Sequence, residues 1–258
     1  MLAAWWANNN CLLATAQLEW TRVSRLYLKV PSSALAFYAH PDDADVSCGG
    51  TMALWAELGA RVNLVVCTKG EKGTIDASKD VSELESERLL ELQNAKTMLG
   101  ISRLVNLYVP DGDIENTARF RAKIVRLIRQ FKPEVVLCPD PTAVFFGSGY
   151  FNHRDHRELG WTVLDAVSPA ASLPHYFPSE GPPHQVGTVL MSGSLEADAF
   201  VDVSSSIKKK VDAVLCHRSQ IGDREEWMSE VISTRAKETG KAIGAGYAEA
   251  FRLLELGS

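Results

Sequence analysis

The stretch Ala34-Leu35-Ala36-Phe37-Tyr38-Ala39-His40-Pro41-Asp42-Asp43, followed by Cys48-Gly49-Gly50-Thr51, decides how this chain reads. A short apolar run enters a turn and then a helical pattern, the signature of strand, loop and helix. His40, Asp42 and Asp43 then sit at the carboxyl end of the strand, where open α/β sheets bind ligands. One histidine and two adjacent carboxylates can hold a divalent metal and leave a carboxylate over for proton transfer.

Outward from this stretch, strands and helices alternate. Arg61–Cys67 reads as a second strand. Ser82-Glu83-Leu84-Glu85 reads as a capping box opening a helix to Leu99, with Gly100 as its stop. Leu104–Tyr108 and Glu134–Cys138 are the next strands, separated by a helix over Thr117–Phe131. A long loop from Pro139 to Asn152 delivers His153-Arg154-Asp155-His156, whose histidines share one face if the segment is helical. Later strands are expected over Gln185–Met191 and Ala199–Asp202, and helical regions over Ser204–Cys216, Arg224–Gly240 and Tyr247–Leu256. The fold expected is therefore α/β: a Rossmann-like open, mostly parallel sheet with helices on both faces. Gly49-Gly50 is either a close approach of backbone to a ligand or a tight turn into helix packing.

Composition excludes several classes. At 258 residues, 46% hydrophobic and 23% charged, the chain suits one soluble domain. A net charge of -5 disfavours a nucleic-acid face, and Lys208-Lys209-Lys210 reads as the solvated side of a helix. No apolar run reaches the ~18 residues of a membrane span. Five cysteines without a C-x-x-C pair argue against a cysteine-based zinc site and fit a reducing cytoplasm. Residues 1–33 read as an N-terminal extension of uncertain role before a single domain over 34–258. A secretory signal is disfavoured there, because no early Lys or Arg and no clear cleavage site are present.

The paired motifs, His40-Pro41-Asp42-Asp43 and His153-x-x-His156, resemble those of the LmbE-like (PIG-L) family of zinc-dependent N-acetylglucosaminyl deacetylases. The resemblance runs from about Ala34 to about Gln220. It implies a metal set of His40, Asp43 and His156, three protein ligands with an open fourth position. Zn2+ is the expected ion, with Fe2+ an alternative. Asp42 is implied as general base. His153 is implied as an imidazolium that stabilises the oxyanion and then protonates the leaving amine, with Asp155 holding it in the required tautomer. Arg88 is implied to reach the sugar; the alternative is an exposed ion pair with Glu91. Asp111, in a Pro-Asp-Gly at a strand end, is implied to line the pocket. Each motif residue also has a plain reading: Asp42 and Asp43 as helix caps, His153 and His156 as histidines of an amphipathic helix.

Several positions depart from the family pattern. Ala44 stands where an acid is usual, with Asp45 one place later, where an acid could buttress a metal ligand. Arg154 replaces a frequent proline. Phe151 stands where some members carry a tyrosine, with Tyr150 as its neighbour. His217-x-Ser219-Gln220 resembles a late family motif without an assigned role. The activity implied is hydrolysis of an N-acetyl amide on a small N-acetylglucosamine-containing substrate, giving acetate and an amine. The alternatives are an amidase on a bulkier sugar-amide conjugate and a non-catalytic nucleotide- or metal-binding protein. No G-x-G-x-x-G follows the first strand, which counts against nucleotide binding. A homo-oligomer is compatible with this reading.

Overall fold

A computed structural model describes residues 25–257. Among these, the strands are β1 (Arg25–Leu26), β2 (Ser33–Tyr38), β3 (Arg61–Thr68), β4 (Arg103–Val109), β5 (Val135–Pro139), β6 (Phe145–Phe146), β7 (Tyr150–Phe151), β8 (Thr188–Ser192), β9 (Ala199–Asp202) and β10 (Ala248–Glu255). The helices are α1 (Asp43–Glu57), α2 (Val81–Leu99), α3 (Ala118–Phe131), α4 (Arg154–Asp165), α5 (Ile207–Val214), α6 (Arg218–Ile221) and α7 (Glu225–Gly240).

Eight strands form one sheet in the order β1-β9-β10-β8-β5-β2-β3-β4. The run from β8 to β4 is parallel throughout, and β10 is antiparallel to both neighbours. The mostly parallel sheet expected from the sequence is thus the one observed. Its central strands are near-continuous apolar runs because both faces are covered. Side chains alternate across β2: Ala34, Ala36 and Tyr38 pack with Met52 and Trp55 of α1 and Leu92 of α2. Leu35 and Phe37 pack on the other face with Ile124 of α3 and Leu159 of α4.

Chain order reverses beside β2. The chain steps from β2 through β3 to β4 at one edge, then returns to place β5 on β2's other side. The crevice between the carboxyl ends of β2 and β5 is the topological switch point. His40 leaves β2 there, and the segment after β5 arrives there through the small β6–β7 hairpin.

Four local readings change. The cap of α2 is Asp80, which accepts from the Ser82 and Glu83 N–H groups, rather than a Ser82–Glu85 box. The loop over 139–152 contains the β6–β7 hairpin. Tyr247–Leu256, rich in helix-forming Ala, Glu and Leu, is mostly strand β10, because β8 and β9 offer hydrogen-bond partners on both sides. Residues 1–24 of the expected extension lie outside the described residues, while Arg25–Leu26 pairs with Ala199–Phe200 in the sheet.

Helix α1 breaks at Cys48, whose φ of -143° and ψ of 22° leave the helical region. The N–H groups of Gly50 and Thr51 beyond the break donate to the Glu249 carboxylate at 2.9 and 2.7 Å. Lys210 neutralises that buried carboxylate at 2.5 Å. The second half of α1 is therefore capped by side chains from β10 and α5. The first turn is freed to follow the geometry of the crevice. Gly50 packs against protein rather than a ligand: a Cβ there would lie 2.9 Å from Val203 Cβ, whereas at Gly49 its nearest neighbour would be 3.4 Å away. Gly50→Ala is therefore expected to destabilise the protein by about 1–3 kcal/mol through overpacking. Gly49→Ala should be neutral or slightly stabilising, since alanine is the better helix former. Urea midpoints of the two variants test the contrast, and equal midpoints would refute the packing argument.

Candidate metal centre

His40, Asp42 and Asp43 occupy the turn between β2 and the first turn of α1. Asp42 stands at the cap position of α1 yet makes no side-chain capping bond, so the plain capping reading of this residue fails. Asp43 Oδ2 accepts instead from the His40 backbone N–H at 2.7 Å. His153 caps α4: its Nδ1 accepts from the Asp155 N–H at 3.2 Å. His156 follows one turn later.

Three atoms converge. His40 Nδ1 lies 3.1 Å from Asp43 Oδ2 and 3.2 Å from His156 Nε2, and His156 Nε2 lies 3.1 Å from the same Asp43 oxygen. The outer hydrogen bonds fix which ring nitrogens carry lone pairs. His40 Nε2 donates to Asp111 Oδ1 at 3.1 Å, so Nδ1 is the nitrogen that faces the centre, with a lone pair there whenever the ring is neutral. His156 Nδ1 donates to Asn152 Oδ1 at 3.0 Å, which leaves Nε2 as its inward lone pair. The Asn152 amide is itself oriented by donation to the Ala143 carbonyl at 3.0 Å. Two ring nitrogens and a carboxylate oxygen thus face one another at contact distance, an arrangement satisfied by a proton on His40 or by a bound cation. Ligands at about 2.0–2.1 Å from a tetrahedral ion would stand about 3.3 Å apart, close to the edges of this triangle. The residues present therefore fit a divalent ion. His153 lies beside the triangle, its ring centroid 4.9 Å from that of His40. Donor atoms of His40, His153 and His156 also lie within 4.8 Å of one another, as do those of His40, Asp111 and Asp155.

The charges are arranged for the same end. Burial works against a protonated His40, but Asp43, Asp111 and Asp155 outweigh it and raise its pKa well above the ordinary value. Burial also works against an ionised Asp43, and the His156 and His40 rings outweigh it to hold that carboxyl well below the usual range. His153 shifts the other way: burial, then repulsion from His40 and His156, lowers its pKa.

Two expected contacts are corrected. Asp155 does not clasp the His153 ring with its carboxylate. That carboxylate accepts from the Gly112 and Ile114 N–H groups at 2.8 and 3.3 Å and lies 3.6 Å from His40 Nε2. His153 is held by the Asp155 backbone instead. Asp111 is buried, bonds His40 Nε2, and is fastened by Glu71 and Lys72. Arg88 is buried too, and forms neither a surface pair with Glu91 nor an exposed arm. Its guanidinium reaches Asp42 Oδ1 at 3.1 Å and the Gly70 carbonyl at 2.8 Å. Gly70 and Gly73 hug it so closely that a Cβ on either would stand less than 3.0 Å from Arg88.

Asn152 was missed by sequence reasoning, although it immediately precedes His153 and stands four residues before His156. Of the two aromatic residues before the motif, Phe151 is exposed. Tyr150 lies nearer the centre, its phenol pushed up to about 12 by burial and by Asp43, against a hydrogen bond with the His153 backbone.

The profile of the family described as PIG-L, GlcNAc-PI de-N-acetylase, matches residues 35–167, just over half of the chain. A diacetylchitobiose deacetylase of Thermococcus kodakarensis is 32% identical over 225 residues, spanning 85% of this chain and 82% of that protein. This chain therefore belongs to the PIG-L family. A 1D-myo-inositol 2-acetamido-2-deoxy-alpha-D-glucopyranoside deacetylase of Segniliparus rotundus is 32% identical over 62% of this chain and 57% of its own length. The structure of N,N'-diacetylchitobiose deacetylase from Pyrococcus horikoshii, complexed with its inhibitor MPG, superposes with a TM-score of 0.79 at 26% identity, covering 87% of this chain and 84% of that one. No helix among the described residues is long and apolar enough to cross a membrane.

A metal ion and a proton compete for the His40 lone pair. Because the folded-state pKa of His40 is raised, the metal-free centre still holds its proton near neutral pH. Zinc titrated into the metal-free protein at pH 7 should displace about one proton per ion, with affinity rising with pH. Calorimetry in buffers of different ionisation enthalpy counts that proton. Zinc binding without proton release would contradict the arrangement.

Proposed function

We propose that this protein is a zinc-dependent hydrolase that removes the acetyl group from a small N-acetylglucosamine-containing substrate. The observation that carries the reading is the triangle of His40 Nδ1, Asp43 Oδ2 and His156 Nε2 with edges of 3.1–3.2 Å, with His153 beside it and Asp42 the residue before Asp43. Membership of a family whose relatives are deacetylases of acetylated sugars supports the substrate class. Zinc suits two imidazoles and a carboxylate; the same set also suits Fe2+. A cytoplasmic setting belongs to the same reading, supported by four free thiols among the described residues.

When bound, the metal would lower the pKa of a water molecule to about 7 and polarise the amide carbonyl. Asp42, held by Arg88 through Oδ1, takes a proton from the attacking water with its other oxygen. The water oxygen bonds to the acetyl carbon. His153 faces the resulting oxyanion. Its Nδ1 is committed to the Asp155 N–H and its pKa is lowered, so the ring is neutral, with its proton on Nε2. That is the form of an oxyanion donor rather than of an imidazolium acid. The proton taken by Asp42 then passes to the leaving nitrogen as the C–N bond breaks, giving acetate and the amine. This assignment replaces the two-residue relay expected from the sequence: Asp42 is both base and acid, and His153 stabilises charge.

Acetate release from N,N'-diacetylchitobiose and from an N-acetylglucosaminyl-inositol, with metal stripped and restored, tests the function. Loss on chelation and recovery with zinc are expected. Hydrolysis of bulkier amides alone would reassign the substrate. His40→Ala and His156→Ala should each lose the metal. Asp42→Asn should keep it and lose about 10²-fold or more of kcat. His153→Ala should keep metal and lose about 10²–10³-fold, as oxyanion donors do. His153→Gln, which donates a hydrogen bond but cannot act as an acid, should recover part of that loss. If glutamine is no better than alanine, the imidazolium role returns.

A further inference from the structure

The sequence motif His217-x-Ser219-Gln220 takes no part in the centre just described, yet its three named side chains bind three different pieces of it. His217 is fully buried, and its Nε2 lies 2.6 Å from Asp45 Oδ2 in the first turn of α1, the turn that carries Asp43 and follows Asp42. Ser219 grips Glu91 twice, through its N–H and its hydroxyl, each at 2.6 Å. Glu91 lies on α2 one turn after Arg88. The Gln220 amide donates to the Gly73 carbonyl at 3.2 Å. Gly73 belongs to the loop that closes over Arg88: a Cβ on it would stand 2.4 Å from Arg88 Nη1 and 3.2 Å from Gln220 Oε1. That same loop supplies the Gly70 carbonyl that accepts from Arg88.

We propose that His217, Ser219 and Gln220 form a positioning clamp for the general base. Asp42 comes from the β2–α1 turn, Arg88 from α2, and the roof over Arg88 from the loop at 70–73. The clamp binds each of these elements at one point, through Asp45, Glu91 and Gly73 respectively. It thereby sets the separation at which the Arg88 guanidinium meets the Asp42 carboxylate. Its side-chain bonds go to Asp45, Glu91 and Gly73 and not to His40, Asp43 or His156. Asp45, the displaced acid of the first motif, is the clamp's partner on α1 rather than a buttress of a metal ligand. The requirement is geometric: a base displaced by about 1 Å loses on the order of 10²-fold in rate. Hydrogen bonds to three elements from one turn of chain, two of those contacts at 2.6 Å, give that precision at low conformational cost.

This inference rests on the proposed reading of Asp42 as the base, and the experiment separates the two. His217→Leu, His217→Gln, Ser219→Ala and Gln220→Ala are each prepared alone and in an Asp42→Asn background. Zinc content, kcat and KM on N,N'-diacetylchitobiose, and the 15N side-chain spectrum of Arg88, assigned by its loss in Arg88→Lys, are measured together. His217→Leu is expected to keep its zinc and its KM and to lose about 10²-fold in kcat. His217→Gln, whose amide nitrogen can still donate to Asp45, should restore most of that loss. In the Asp42→Asn background none of the changes should cost anything further, because the group they position is gone. The slowly exchanging Arg88 guanidinium protons should be visible in the parent and in His217→Gln and weakened in the others. An equal loss of kcat with and without Asp42 would overturn the clamp, as would full activity in all four variants. If the parent releases no acetate, the function fails, and the Arg88 spectrum alone decides the clamp: an unchanged signal in every variant refutes it. Should His217→Leu not fold, Ser219→Ala and Gln220→Ala, which each remove one contact, carry the same comparison.

Discussion

Two imidazole nitrogens and one carboxylate oxygen face one another within 3.2 Å at the mouth of a parallel sheet. A proton on His40 or a bound metal ion reconciles these groups, and much of the surrounding structure holds them in place. Asp111 and Asn152 turn the two rings so that their lone pairs point inward. Asp155 stands behind His40, tied to the backbone at Gly112. Glu71 and Lys72 in turn fix Asp111. The fold contributes the switch point between β2 and β5, where the strand order reverses and leaves room for side chains from both strand ends. Protonation of His40 is the substitute when metal is absent, which links metal affinity to pH.

Burial makes this organisation strict. Arg88 and Asp42 are both almost withdrawn from solvent, so removing either partner leaves a buried charge and costs about 3–5 kcal/mol. The same logic governs the Lys210–Glu249 pair that caps the second half of α1. The break at Cys48 separates two demands on one helix. Gly50 and Trp55 pack the core beyond it, while before it Asp42 meets Arg88, Asp43 meets His40 and His156, and Asp45 meets His217. A straight α1 would have forced both sets into one helical register.

Much of this was legible in the sequence. The apolar runs of β2, β3 and β5 gave the parallel sheet because strands covered on both faces need no polar alternation. The doublet Asp42-Asp43 and the pair His153–His156 gave the converging residues, because strand ends and helix starts place neighbours predictably. Contacts distant in the chain were not legible. Arg88 lies 46 residues from Asp42 in number, and no local pattern tells a buried arginine from a surface one. Asp155 stood next to His153's neighbour, so proximity in sequence suggested the wrong partner. Strand β10 was misread because Ala, Glu and Leu favour a helix locally, while the vacancy between β8 and β9 is a property of the whole sheet.

The most direct measurement is anomalous diffraction at the zinc edge from crystals of the zinc-loaded protein. The account predicts one ion bonded to His40 Nδ1, Asp43 and His156 Nε2 at about 2.0–2.2 Å, with Asp42 and His153 outside its coordination sphere. An ion held instead by His40, Asp111 and Asp155, or one bonded to Asp42, would contradict it.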